Sequence, residues 1–171
     1  MASSDHAASI TLTSVIRLLT HNLVRVSSRP ITDSTSSSVL LISPENHILL
    51  LRRVKTSSSF ASAHVFPGGN ISSFHDGDPP PPGDAARHHD SDVYRMAAVR
   101  ETFEESGILL ARTKDGRLLE VDEEERTKVR KLVHGDKIKF EDWLEEKDAK
   151  ADLGRSLSSD ACFVHPCLGL C

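Results

Sequence analysis

The stretch "RETFEESG", residues 100–107, places Arg100, Glu101, Glu104 and Glu105 within six positions and ends at Gly107. Three carboxylates at that spacing suit either the solvated face of a helix or a hard divalent cation such as Mg²⁺ or Mn²⁺. At 3.6 residues per turn, with Glu101 set at zero, Glu104 falls near ~300° and Glu105 near ~40°, so all three share one face. Met96, Val99 and Phe103 fall at roughly 220°, 160° and 200°, on the opposite, core-facing side. Glu101 and Glu105 are like charges at i,i+4, which disfavours the helix by a few tenths of a kcal/mol. Only Arg100 stands four residues from a partner, Glu104. In "DEEERTKVRK" (122–131), by contrast, Asp122 meets Arg126 and Glu124 meets Lys128, which reads as an ordinary surface helix. Carboxylates without counter-charges of their own point to a cation; a solvated acidic face is the alternative.

The elements that must position these residues follow from apolar patterning. "SVLLIS" (38–43) and "HILLLRRV" (47–54) are β-rich runs around the turn "PEN" and read as a hairpin or two neighbouring strands. "VFPGGNI" (65–71) reads as a short strand running into a glycine turn. Residues 74–92 hold four consecutive prolines, which forbid helix and sheet, so the segment reads as an exposed insertion loop. His88 and His89 within it read as solvated. A helix is predicted from about Val93 to Ser106, with Asp92 as N-cap and Gly107 in the C-cap region. Residues 108–121 read as a hairpin around Lys-Asp-Gly, followed by a charged helix at 122–134. A short helical segment then buries Phe140, Trp143 and Leu144. Strands, loop, helix, hairpin and helix in that order predict a mixed α/β (α+β) fold, not repeats.

The 171 residues, 38% of them hydrophobic, with a net charge of -4, fit one globular domain and exclude a polybasic nucleic-acid binder. Aromatic content of 5% leaves few platforms for stacking bases. No run approaches ~18 uninterrupted apolar residues, so no transmembrane helix is expected. Residues 1–37 are Ser-rich and acid-poor, with Leu12, Val15, Ile16, Leu19, Leu23 and Val26 at helical spacing beside Arg17, His21 and Arg25. That composition suits a mitochondrial presequence, or else a short helix docked on the domain. Cys162, Cys167 and Cys171 all lie in the last ten residues, and their spacing fits no standard zinc pattern. A domain body without cysteine needs no disulfide and suits a reducing compartment.

"RETFEESGI" resembles the core of the Nudix hydrolase signature, R-E-U-x-E-E-x-G-U with U aliphatic. Arg100, Glu101, Glu104, Glu105, Gly107 and Ile108 match, and Thr102 stands where a larger apolar residue is usual. The signature opens with G-x5-E, for which "FPGG" (66–69) supplies Gly69 and Asp92 stands in the acid position. Gly69 and Arg100 are 31 positions apart where the uninterrupted signature needs 14, so 17 extra residues split the box. Such a split box, and the lead-in "LLLRRVKTSSSFASAHVFPGG", are similar to the branch that includes peroxisomal acyl-coenzyme A diphosphatases.

The resemblance implies a Nudix-type α/β/α sandwich with a mixed sheet over residues 38–154. It also implies metal-dependent cleavage of a diphosphate joined to another moiety, with coenzyme A or its acyl derivatives as the best guess. Carried over by position, Glu104 and Glu105 hold Mg²⁺ or Mn²⁺, and the Gly68 carbonyl adds a ligand. Glu101 holds metal or orients and deprotonates water. Arg100 pairs with a carboxylate to fix the loop around the helix, and Asp92 supports the site. Arg53, Lys55 and His64 either contact substrate phosphates or are solvated strand-end charges. The partner is thus a small-molecule diphosphate, while the oligomeric state is left open. The family sheet usually continues beyond residue 150, whereas residues 155–171 show no strand pattern and read as a disordered tail lacking a peroxisomal address. Peroxisomal and cytoplasmic locations stand beside the mitochondrial one. The runner-up reading is a truncated Nudix-like chain with little or no activity; a plain interaction domain with an acidic helix is a third.

Overall fold

The structure, a computed structural model, describes residues 35–43, 46–56 and 61–154, together with the backbone of Ala161–Val164. The presequence reading and most of the tail, including Cys167 and Cys171, lie outside the described residues. Strand β1 (Ser36–Leu41) is the organiser. Its inward residues Ser37, Val39 and Leu41 are buried and alternate with half-buried ones, the period-2 pattern of a strand covered on one face. It pairs antiparallel with β4 (Gly68–Asn70) on one side and β7 (Ala161–Val164) on the other. Two further pairs, β2 (Leu51–Arg52) with β3 (His64–Val65) and β5 (Ala111–Thr113) with β6 (Ala149–Ala151), are also antiparallel.

Helix α1 (Asp92–Ser106) packs on β1 and β4, with α2 (Glu123–His134) and α3 (Phe140–Glu146) beside it. The mixed α/β architecture agrees with the sequence reading, and no helix among the described residues is long and apolar enough to cross a membrane. Val99 and Phe103 are fully buried as expected, and Met96 packs at the core margin. Phe103 stacks on Trp143 with ring centroids 5.4 Å apart and lies 5.6 Å from Phe140. Each such ring contributes about 1.5–3 kcal/mol by burial, and the cluster fixes the helix turn that carries the glutamates.

Several local expectations are corrected. Gly68 and Gly69 lie within a strand, paired with Ser38 and Ser37, not in a turn. Ser91, not Asp92, is the N-cap of α1, and Gly107 closes it in the left-handed conformation. The short helical segment, read over 138–154, ends at Glu146, and Ala149–Ala151 are a strand because Ala111–Thr113 offers a partner edge. Within the tail, Ala161–Val164 form β7 despite the lack of alternation: backbone pairing to β1 requires no such pattern. The 74–92 segment is an exposed loop only in part. His75 and Asp76 are buried, and Ala85–His88 form a 3₁₀ turn opened by Asp84. The hairpin at 108–121 forms as read, with Thr113 N–H bonded to Arg117 O and Gly116 in the left-handed region.

Candidate functional site

Arg100 is the hub. Its side chain is 5% exposed, and its Nε and Nη2 donate to Asp76 Oδ1 and Oδ2 at 3.0 and 2.9 Å. Nη2 also donates to the Asn70 carbonyl at 2.9 Å, while Nη1 reaches Glu104 Oε1 at 2.7 Å and Glu101 Oε1 at 3.0 Å. Burial alone would lower the guanidinium pKa, but the bonds to Asp76 and the charges of Glu101 and Glu104 outweigh it, leaving it above its ordinary range. The bidentate fork is what a planar guanidinium offers and a lysine cannot.

The carboxylate that holds Arg100 is Asp76, a residue the spacing did not single out, whereas Asp92 had been read as the acid of the signature. Asp92 opens α1 on its exposed side, eight residues and about 12 Å of helix rise before Arg100. Asp76 stands seven positions after Gly69 and 24 before Arg100, so nearly all of the insertion falls after the acid. Its own side chain is fully buried and also accepts from the Ser72 N–H at 2.9 Å. Beside it, His75 accepts from the Phe140 N–H at Nδ1, 3.2 Å away, so Nε2 carries the proton. That Nε2–H faces the Val133 carbonyl at 3.1 Å and Asp136 Oδ1 at 2.9 Å.

The three glutamates share a face of α1 as the helical angles predicted, yet they do not lack counter-charges. Arg100 of the same helix supplies one partner, and the others come from elements that a single-helix reading cannot see. Glu104, with its side chain 6% exposed, is gripped by Arg100 at Oε1 and by His134 Nδ1 at Oε2, 2.8 Å away. Glu105 Oε2 accepts the Gly68 N–H at 3.0 Å. Gly68 thus meets the glutamates through its N–H. Glu101 rests on Gly69: a Cβ there would lie 2.4 Å from the carboxyl carbon and 2.6 Å from both oxygens. Gly68 is required for a different reason, φ of 151° and a Cβ position 2.2 Å from the Ser37 carbonyl.

Burial, first of all, raises the Glu101 carboxyl above its ordinary pKa, with Arg100 opposing and Glu104 adding to the rise. Glu105 is also raised by desolvation, against the Gly68 N–H and the charge of Arg53. Arg53 is thus the substrate-binding candidate that the structure brings electrostatically to the glutamates. Lys55 is exposed in the turn after β2, and His64 is exposed on β3, opposite Arg52.

Among the described residues no three His, Cys, Asp or Glu side chains stand preassembled as a metal cage. The donor chemistry nevertheless fits a hard divalent ion. Glu101 and Glu105 have a raised affinity for a proton chiefly because burial strips water from their charge, a cost that a bound cation would offset. The Ser37 hydroxyl, buried and without a hydrogen-bond partner, lies on the same sheet face as the Gly69 site that Glu101 covers. Glu101, Glu104 and Glu105 would hold such an ion, each Glu104 oxygen accepting from its present partner and keeping a second lone pair for the ion.

Sequence reasoning missed Asp76, His75, Arg130 and His134. Helix α2 is no ordinary surface helix: Val129 and Val133 are buried, and Asp122 caps it through the Glu125 N–H at 2.7 Å. Arg126 turns to Glu123 at 2.9 Å and not to Asp122. Arg130 and His134 cross to the end of α1. The available signal was helical spacing: Arg130 and His134 are one turn apart, on one face.

No protein-family model matches the chain. Over 108 residues, 63% of its length, it is 32% identical to "Putative nudix hydrolase 7" of Caenorhabditis elegans. The chain spans about a third, 32%, of that relative's length. A solved NUDIX hydrolase from Alicyclobacillus acidocaldarius aligns with a TM-score of 0.49 at 23% identity, over 72% of this chain and 59% of that one.

Proposed function

We propose that this chain is a Nudix-type hydrolase that cleaves the diphosphate of a nucleoside diphosphate linked to another moiety, using Mg²⁺ or Mn²⁺. The carrying observation is the Glu101–Glu104–Glu105 face set against Gly68 and Gly69 and locked through Arg100 to Asp76. Identity to a nudix hydrolase over 108 residues supports the same reading.

A diphosphate repels an incoming nucleophile, and a bound divalent cation offsets that charge and makes coordinated water more acidic. Glu104 and Glu105 would hold the cation, close to the strand glycines where the backbone permits near approach. Glu101 would orient the attacking water and take its proton; the rise in its pKa brings it nearer the range in which a general base works at neutral pH. Arg53, facing Glu105, would meet a substrate phosphate, and Lys55 and His64 extend that basic edge. Arg100 is a positioning residue, since its donors are spent on Asp76, Asn70 and the glutamates. Coenzyme A and acyl-coenzyme A are the proposed substrates, on the strength of the split box and its lead-in.

Hydrolysis of a panel of coenzyme A esters and nucleotide sugars, with and without Mg²⁺ or Mn²⁺, tests the proposal. Phosphorylated products are expected only with metal, and Glu104→Gln or Glu105→Gln should lower turnover by at least tenfold. Unchanged turnover in both variants would remove the site assignment.

A further inference from the structure

We infer that Arg130 and His134 of α2 are positioning residues that fix Glu104, the first through its backbone and the second through its carboxylate. The inference rests on the hydrolase reading and deepens it. Arg130 Nε and Nη2 donate to the Glu104 carbonyl at 3.1 and 2.7 Å, and Nη2 donates to the Glu105 carbonyl at 3.1 Å. These are carbonyls at the C-terminal end of α1, among those that intrahelical bonding leaves over, and a cation there also complements the helix dipole. The guanidinium has room because residue 107 is glycine: a Cβ there would lie 3.3 Å from Arg126 Cδ and 3.4 Å from Arg130 Nη1.

One turn further along α2, His134 brings Nδ1 to 2.8 Å from Glu104 Oε2, while Arg100 holds Oε1. With Glu104 ionised, Nδ1–H is the donor. The glutamate is thus fixed at its backbone and at both carboxylate oxygens before any cation arrives. The frame that holds the clamp is equally defined. His75 bonds to the Val133 carbonyl and Asp136 at the end of α2, and its neighbour Asp76 bonds to Arg100. One short turn therefore secures both arms of the clamp.

Partners that orient a metal ligand typically change metal affinity by about 10–100-fold when removed. His134 suits the test because its side chain is 79% exposed, so truncation leaves the core intact. Mn²⁺ affinity of the full chain, read by electron paramagnetic resonance of the free ion, is compared with thermal melting and with kcat and KM. His134→Ala is expected to weaken Mn²⁺ about tenfold while melting with the wild type. His134→Asn, whose amide N–H can stand where Nδ1 stands, should recover most of the affinity. Arg130→Ala should weaken Mn²⁺ similarly, with recovery on adding millimolar methylguanidine. Variants that shift melting but leave Mn²⁺ affinity unchanged overturn the clamp alone. A wild-type chain that neither binds Mn²⁺ nor cleaves any diphosphate overturns the hydrolase reading and the clamp with it.

Discussion

Replacing Asp76 by Asn separates the two acids that could serve Arg100. The substitution keeps volume but puts an amide where one carboxylate oxygen now accepts. Whichever way the amide turns, its NH₂ faces a donor, either Arg100 Nε or the Arg100 Nη2 and Ser72 N–H pair. The Asp76 side chain is fully buried and that of Arg100 nearly so, which places the pair among buried ion pairs whose disruption costs about 3–5 kcal/mol. Arg100 keeps Glu101, Glu104 and the Asn70 carbonyl, so the lower end, about 3 kcal/mol, is expected. Asp92→Asn removes an exposed acid in the first turn of α1, where the helix-dipole contribution is about 0.3–1 kcal/mol. Urea unfolding followed by Trp143 fluorescence reads both, since this chain has one tryptophan and it sits in the core. With a urea m-value of about 1.5–2 kcal/mol/M, Asp76→Asn lowers the midpoint by about 1.5–2 M and Asp92→Asn by about 0.5 M or less. Equal shifts for the two, or a fall below about 0.5 M for Asp76→Asn, would refute the assignment.

The adjacent strand glycines should fail in different ways. Gly69→Ala displaces the Glu101 carboxylate and is expected to lower kcat/KM by tenfold or more with a near-normal melt, whereas Gly68→Ala meets backbone and chiefly lowers stability; circular dichroism and turnover together distinguish them. A carboxyl whose folded pKa is raised adds stability below its unfolded value, and that contribution is lost as pH rises through the folded value. In metal-free protein, wild type should therefore lose melting temperature relative to Glu101→Gln as pH climbs from the ordinary glutamate range toward neutrality, and a constant difference between the two would contradict the shift. Mn²⁺ at about 100 times its Kd should stabilise the fold by about 2.7 kcal/mol, and Glu104→Gln should remove most of that gain in a calorimetric scan.

What the sequence disclosed is what local periodicity carries. The glutamate face of α1, the burial of Val99 and Phe103, the Gly107 stop and the aromatic contacts of Phe140 and Trp143 follow from helical spacing and cap chemistry. What stayed hidden depends on contacts between residues far apart in the chain. Asp76 was obscured because spacing was counted back from Arg100 across an insertion, which moved the apparent acid to Asp92. Arg130 and His134 were obscured because balanced charges along α2 satisfied a single-helix account, although both residues turn to the neighbouring helix. His75 stood beside a proline run that dominated the reading of its segment, yet it is one of the most buried polar residues among those described.

The position of Asp76 also bears on how such a chain can be changed. The residues that frame the glutamates end at Asp76 and resume with α1, so the proline-rich stretch between them behaves as a port into which length can be added. The closure entropy of a flexible loop grows only logarithmically, and doubling it costs about 0.6 kcal/mol. Inserted sequence, whether from gene rearrangement or from a designer grafting a reporter peptide between residues 80 and 84, would leave the Arg100 lock unaltered. A segment that accepts added length and a buried electrostatic lock can thus sit side by side, because Asp76 and Arg100 close the lock across the base of that segment.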